Sequence, residues 1–300
     1  MKLNYTEYHK KAINKISNFD LKVKNIAEGF MIGIHKSPYH GFSVDFSEHR
    51  QYYPGDPLKN IDWKIVAKTE KYFVKQYDEE TNVNSYIFID SSNSLNYSSD
   101  NKKYFTKIEY VKLLAGAMAY ILNKQRDAIS LTVYSDKIEN FIPPKASNSH
   151  YFEILKTIHN IHPGGKSNSY KSLLEIIDNI KKNGLVIVFS DLIETKENVI
   201  NFIKKIKSKK NDIILFQILD PEEINFDFGA DKLFLDLETN EKMHTTPLQI
   251  QKDYKELVQK YLNDIKNEVA KYDIDYELIT TSTPFDVALL TFFKKRAKLQ

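Results

Sequence analysis

Tyr86-Ile87-Phe88-Ile89-Asp90-Ser91-Ser92-Asn93-Ser94 is the stretch on which the reading of this chain turns. Its first four residues form a short continuous apolar run, the pattern of a strand buried on both faces of a parallel sheet. The run ends at a carboxylate and continues as Asp90-x-Ser92-x-Ser94, so an oxygen-rich loop follows directly on the strand.

Outward from this point, strands and helices alternate. The spacing of apolar residues predicts a helix over Ile108–Lys124, a strand over Ile129–Tyr134, and helices around Phe152–Ile161 and Lys171–Lys182. A strand at Leu185–Phe189, a helix near Asn198–Lys207, a strand at Ile213–Ile218, a helix at Leu248–Tyr272 and a strand at Tyr276–Ile279 follow. Such alternation implies an α/β fold, a doubly wound and mostly parallel sheet covered on both faces. Upstream, the apolar residues between Tyr5 and Phe30 recur at helical spacing with a break near Asn18, giving one or two leading helices. From Gly33 to Glu80 the pattern changes to histidines and tyrosines, a turn at Tyr53-Pro54-Gly55-Asp56-Pro57 and a β-like Tyr72-Phe73-Val74. The expected division is therefore an N-terminal helical and β-rich extension over 1–80 and the α/β domain over 81–300.

Open α/β sheets bind ligands outside the carboxyl ends of their strands, where the strand order reverses. Three segments with oxygen-bearing side chains fall at such places: Asp90-Ser91-Ser92-Asn93-Ser94, Ser190-Asp191 after the strand at Leu185, and Gly164-Gly165-Lys166-Ser167-Asn168-Ser169 opening a helix. Two carboxylates and three hydroxyls suit a hard cation such as Mg²⁺, with Mn²⁺ and Ca²⁺ as alternatives. Ser92 and Ser94 would ligate directly, Ser167 would add an oxygen, and Asp90 and Asp191 would act through bound water or orient the hydroxyls. Asp-x-Ser-x-Ser alone arises by chance in roughly a few per cent of chains this long. Its placement after a buried strand, with a second strand-end Asp and a Gly-Gly loop between, is what makes it a site.

Composition narrows the classes. The 300 residues are 42% hydrophobic and 28% charged with a net charge of +3, so a sizeable core is affordable and no strong field points to nucleic acid or an anionic membrane. With no cysteine, thiolate catalysis, disulfides and thiolate metal sites are excluded. The start of the chain lacks an apolar signal region and no run reaches the roughly 18 apolar residues of a spanning helix, so the expectation is a cytoplasmic protein without membrane insertion.

Asp90-x-Ser92-x-Ser94 with Ser167 and Asp191 resembles the metal-ion-dependent adhesion site of von Willebrand factor type A domains, with Ser167 in place of the usual threonine. Further segments are similar to a bacterial family of unknown function that carries a type-A-like domain: Ile34-His35-Lys36-Ser37, Arg50-Gln51-Tyr52-Tyr53-Pro54-Gly55-Asp56, Ile61-Asp62-Trp63-Lys64, Val74-Lys75 and Leu219-Asp220-Pro221-Glu222. Members of that family commonly sit beside MoxR-type AAA+ ATPases. The resemblance implies a non-enzymatic interaction module in which the ion engages a carboxylate of a protein partner, such as a MoxR-type ATPase or its client. Two alternatives stand beside it: a metal-assisted hydrolase acting on phosphoesters, and a structural adaptor with a vestigial site.

Other motifs read more simply. Arg50, Tyr53, Asp56, Asp62 and Trp63 form either a docking surface or a scaffold in which Trp63 packs and Asp62 pairs with Arg50; the scaffold is the expected reading. His35, His40 and His49 match no zinc spacing, and His159 and His162 are expected near a helix end. Gly164-Gly165-Lys166-Ser167 lacks the first glycine of a phosphate-binding loop, that place being Asn160.

Overall fold

A computed structural model of the chain describes residues 5–35, 49–52, 63, 66, 72–75, 83–165, 169–192, 196–228, 232–235, 242–245 and 247–296. The chain divides into two compact units, Met1–Met31 with Val83–Gln300, and Ile32–Asn82. Met1–Met31, part of the extension expected over 1–80, groups with the larger unit, where Val23 and Ala27 are completely buried.

The helices α1 (Tyr5–Asn14) and α2 (Phe19–His35) come first, with α2 counted in the larger unit as far as Met31. Asn18 caps α2, its Oδ1 accepting from the backbone N–H groups of Asp20 and Leu21, which accounts for the break between the two helices. The sheet has six strands in the order β10-β7-β6-β3-β4-β5. They are β3 (Asn84–Asp90), β4 (Ala128–Tyr134), β5 (Ile138–Lys145), β6 (Leu185–Ser190), β7 (Asp212–Leu219) and β10 (Asp275–Thr280). All neighbours are parallel except β4 and β5, which pair antiparallel with an irregular register between Ile129 and Leu131. β6 is buried along its whole length, as a central parallel strand must be.

The connecting helices are α3 (Lys107–Lys124), α4 (Asn148–His159), α5 (Ser169–Ile177), α6 (Lys196–Ser208), α7 (Pro221–Asn225), α8 (Pro247–Ala270) and α9 (Phe285–Arg296). On one face, Tyr86, Phe88, Val186, Val188 and Leu215 pack with Leu173, Ile203 and Ile265 from α5, α6 and α8. α3 packs with α4 and α9 and is buried around most of its circumference. Tyr110 of α3 stacks on Phe285 of α9 with ring centroids 4.6 Å apart. α2 lies against α3 at Gly116, where a Cβ would stand 2.7 Å from Val23 Cγ2. Glycine is required there because the two helices approach so closely.

The strand order fixes the site. From β3 the chain runs to β4 and β5 on one side, then crosses to β6, β7 and β10 on the other. The reversal falls between β3 and β6, so their carboxyl ends, Asp90 and Ser190, border the crevice where such sheets bind ligands. β8 (Lys232–Leu235) and β9 (Lys242–Thr245) form a separate antiparallel pair between α7 and α8.

The smaller unit contains an antiparallel pair, β1 (His49–Gln51) and β2 (Phe73–Lys75), with Arg50 opposite Val74. Tyr52 N–H donates to the carbonyl of Tyr72, extending the pairing by one step. Tyr53, Asp56 and Asp62 lie outside the described residues. Trp63 is 61% exposed, which corrects the expectation that its ring packs in a scaffold.

Candidate functional site

Asp90 closes β3 and is almost fully buried, as are Ser91 and Ser92 after it. Its two carboxylate oxygens are used differently: Oδ1 accepts the backbone N–H of Ser92 at 2.9 Å, and Oδ2 accepts the hydroxyl of Ser190 at 2.7 Å. The first contact is an Asx turn that follows from Asp at the strand end. It directs the chain into the 3-10 turn Asn93–Asn96 and brings Ser92 Oγ within 3.0 Å of Ser94 Oγ.

The Gly-Gly loop docks on this turn through its backbone. Gly164 N–H donates to Ser91 O at 2.8 Å, and Asn93 N–H donates to Gly165 O at 3.3 Å. Gly165 has φ +76°, and a Cβ there would lie 2.7 Å from Ser135 Oγ and 2.8 Å from Asp136 Oδ1, so its glycine is needed for both conformation and approach. Ser167 lies outside the described residues.

Asp191 follows β6 and is buried. Its carbonyl accepts from Gln217 Nε2 at 2.9 Å, and Gln217 Oε1 accepts in turn from Tyr276 OH at 2.6 Å. The next residue, Leu192, has φ +55°, uncommon for a bulky side chain, and its carbonyl accepts from Tyr261 OH. The turn that aims Asp191 is thus held from β7, α8 and β10 together.

Electrostatically the site is short of positive charge at one end and supplied with it at the other. Burial, with a further push from the Asp191 charge, raises the Asp90 carboxyl to about 7; the hydrogen bonds from Ser190 and Ser92 oppose that rise. Asp191 meets an internal cation, Lys107, whose Nζ is 2.9 Å from Asp191 Oδ2 and 2.7 Å from Glu223 Oε1. Burial alone would depress the Lys107 ammonium, but the two carboxylates override it and hold it above its ordinary value.

The structure therefore brings together Asp90, Ser92, Ser94 and Asp191, the described members of the expected ligand set. The test of fit for a divalent ion rests on the hydroxyl pair. Ser92 Oγ and Ser94 Oγ are hydrogen-bonded to each other at 3.0 Å, a separation that adjacent oxygens of an octahedral Mg²⁺ shell with bonds of about 2.1 Å, roughly 3.0 Å apart, also accept. Among the described residues, no three His, Asp or Glu side chains form a metal-holding group. An ion here would consequently depend on the hydroxyls of Ser92 and Ser94, with Asp90 and Asp191 as the acidic members.

Lys107 and Glu223 escaped the sequence reading. One signal was available for the first: a lysine opening a helix opposes the helix dipole and calls for a nearby acid. His159, at the end of α4, packs its ring on Phe19 with centroids 4.9 Å apart and takes a hydrogen bond on its carbonyl from Lys112, a helix-end role.

The reversal of strand order between β3 and β6, the parallel strands around it and the Asp-x-Ser-x-Ser turn define a von Willebrand factor type A-like α/β protein. The chain belongs to the family described as protein of unknown function DUF58, whose model matches residues 48–262. It is 20% identical over 226 residues to the uncharacterised proteins Rv1480 of Mycobacterium tuberculosis and Mb1516 of Mycobacterium bovis, spanning 75% of this chain and 70% of each relative. Among solved structures, an aerotolerance-related membrane protein from Bacteroides fragilis aligns with a TM-score of 0.50 at 14% identity, over 72% of this chain and 99% of that one. BatB from Bacteroides thetaiotaomicron gives 0.48 at 14% identity over 71% and 98%, and the SpRpn10 VWA domain 0.41 at 13% over 70% and 94%. Among the described residues, no helix is long and apolar enough to cross a membrane.

Proposed function

We propose that this protein is a metal-ion-dependent interaction module and not an enzyme, holding Mg²⁺ through Ser92 and Ser94, with Asp90, Asp191 and Ser167 completing the site. The observation that carries this reading is the convergence of four oxygen-bearing side chains at the reversal of strand order, with Ser92 and Ser94 set at the edge length of an octahedral shell. The bound ion supplies an electrophilic position that a carboxylate can fill. The chain's own residues do the rest: the serines give neutral oxygens, so the ion's charge is left largely uncancelled. An Asp or Glu of a partner protein is then the natural last ligand. Family membership supports a MoxR-type AAA+ ATPase, or its client, as that partner. The cysteine-free composition suits action in the cytoplasm.

The experiment is calorimetric titration with Mg²⁺, Mn²⁺ and Ca²⁺ on the wild type and on Asp90→Ala, followed by binding of the cognate MoxR-type ATPase in Mg²⁺ and in chelator. Ion binding lost in Asp90→Ala, with ATPase binding that requires Mg²⁺, is the expected result. Partner binding indifferent to both chelator and substitution sinks the mechanism. Turnover of a generic phosphoester that disappears in Asp90→Ala would replace it with a metal-assisted hydrolase.

A further inference from the structure

The geometry points to Lys107 as the residue that sets the site's preference for Mg²⁺ over Ca²⁺, by occupying one oxygen of Asp191 and denying it to the ion. This inference rests on the reading of Asp90, Ser92, Ser94 and Asp191 as an ion site, and it assigns a role to a residue outside that set.

Lys107 opens α3, and its position is fixed twice. Its N–H donates to Tyr97 O at 3.0 Å, and the capping box of Thr106 and Glu109 holds the helix end, with Thr106 Oγ1 accepting from Glu109 N–H and Glu109 Oε2 from Thr106 N–H. The lysine side chain is wholly buried, and its ammonium bonds Asp191 Oδ2 and Glu223 Oε1. A lysine at this end of a helix works against the helix dipole, and the carboxylates of Asp191 and Glu223 offset that together with the cost of burial. Asp191 is itself buried, and the hydrogen bonds from Gln217 to its carbonyl and from Tyr261 to the Leu192 carbonyl fix the backbone from which its carboxylate reaches the ammonium.

The consequence concerns coordination number. Mg²⁺ takes six oxygens near 2.1 Å and accepts carboxylates through one oxygen, whereas Ca²⁺ takes six to eight at about 2.3–2.6 Å and often closes its shell with a two-oxygen carboxylate. With Oδ2 bonded to Lys107, Asp191 presents one oxygen, directly or through water. The compact serine pair and a one-oxygen Asp191 match the smaller ion. A lysine acting only as a buried ion pair would influence stability and leave the ratio of the two affinities alone.

The test compares Mg²⁺ and Ca²⁺ affinities by calorimetry in the wild type, Lys107→Met, Lys107→Arg and the double variant Lys107→Met/Glu223→Gln, with circular dichroism to verify folding. The double variant removes one positive and one negative charge together, so it avoids leaving Glu223 unpaired. Lys107→Met and the double variant are expected to shift the affinity ratio towards Ca²⁺ by roughly tenfold or more, while Lys107→Arg keeps the wild-type ratio. An unmoved ratio in either folded variant overturns the role of Lys107 and leaves the ion site standing. Absence of ion binding in the wild type overturns both. Infrared difference spectra of the wild type with Ca²⁺, read against Asp191→Asn, need neither lysine variant to fold: a one-oxygen carboxylate signature supports the assignment, and a two-oxygen signature from Asp191 overturns it.

Discussion

The hydroxyl of Ser190, last residue of β6, donates to Oδ2 of Asp90, last residue of β3, at 2.7 Å across the reversal of strand order. The same hydroxyl oxygen accepts the N–H of Leu192 at 3.1 Å, so one serine ties together both strand ends and the turn that carries Asp191. Ser190→Ala leaves a buried carboxylate oxygen and a buried N–H short of a partner. The expected loss is about 1–3 kcal/mol in urea unfolding, together with weaker Mg²⁺ binding. An unchanged unfolding midpoint would show that Ser190 is not the tie.

Asp90 gives the ion-free protein an unusual pH profile. Its folded-state value of about 7 lies above the ordinary carboxyl range, so the folded state holds this proton more tightly than the unfolded chain does. The contribution is fully present below about pH 4 and is lost as pH rises through about 7. In chelator, Asp90→Asn is therefore expected to gain stability relative to wild type as pH goes from 5 to 8. Denaturant melts at several pH values give the difference, and a flat difference contradicts the buried-charge account.

Gly165 carries a prediction for the loop between α4 and α5. Gly165→Ala must adopt the left-handed conformation, costing roughly 1–2 kcal/mol, and its methyl would push against Ser135 and Asp136. Because Gly165 O receives the N–H of Asn93, the displaced loop should also loosen the serine turn. The expected outcome is lower stability together with a several-fold loss of Mg²⁺ affinity; a stability loss alone would show that the loop and the turn are not coupled.

Gly116 tests the packing of α2 on α3. Gly116→Ala gains about 1 kcal/mol of helix propensity but puts a methyl 2.7 Å from Val23 Cγ2, and Val23 is stiff and fully buried. Overpacking of about 1–3 kcal/mol makes a net loss the expected result. In a Val23→Ala background the same substitution should turn neutral or stabilising, and a double-mutant cycle without coupling would refute the contact.

Much of this fold was legible because buried parallel strands are short unbroken apolar runs. Tyr86–Ile89, Leu185–Phe189 and Ile213–Ile218 each sit within a strand of the sheet. β5 was not legible: it lies at the edge, buries only Ile142 and contains Pro143 and Pro144, so no apolar run announces it. α7, with five residues, is too short for a periodic signal. The serine turn and Asp191 could be read from strand-end placement, since a strand's end fixes where its next residues go. The partners of Lys107 could not: its place at a helix start calls for an acid, but Asp191 and Glu223 lie 84 and 116 residues further along the chain and only the packed structure brings them to it.

The prolines of β5 bear on how the protein meets others. Pro143 and Pro144 are consecutive, and successive residues of a strand aim their amides to opposite sides; neither has a hydrogen to give. The register irregularity against β4 absorbs the loss on the inner side. On the outer side the loss remains, so this margin of the sheet is a poor template for a further strand from another molecule or a second copy. Strand-by-strand growth of the sheet is therefore discouraged along this margin.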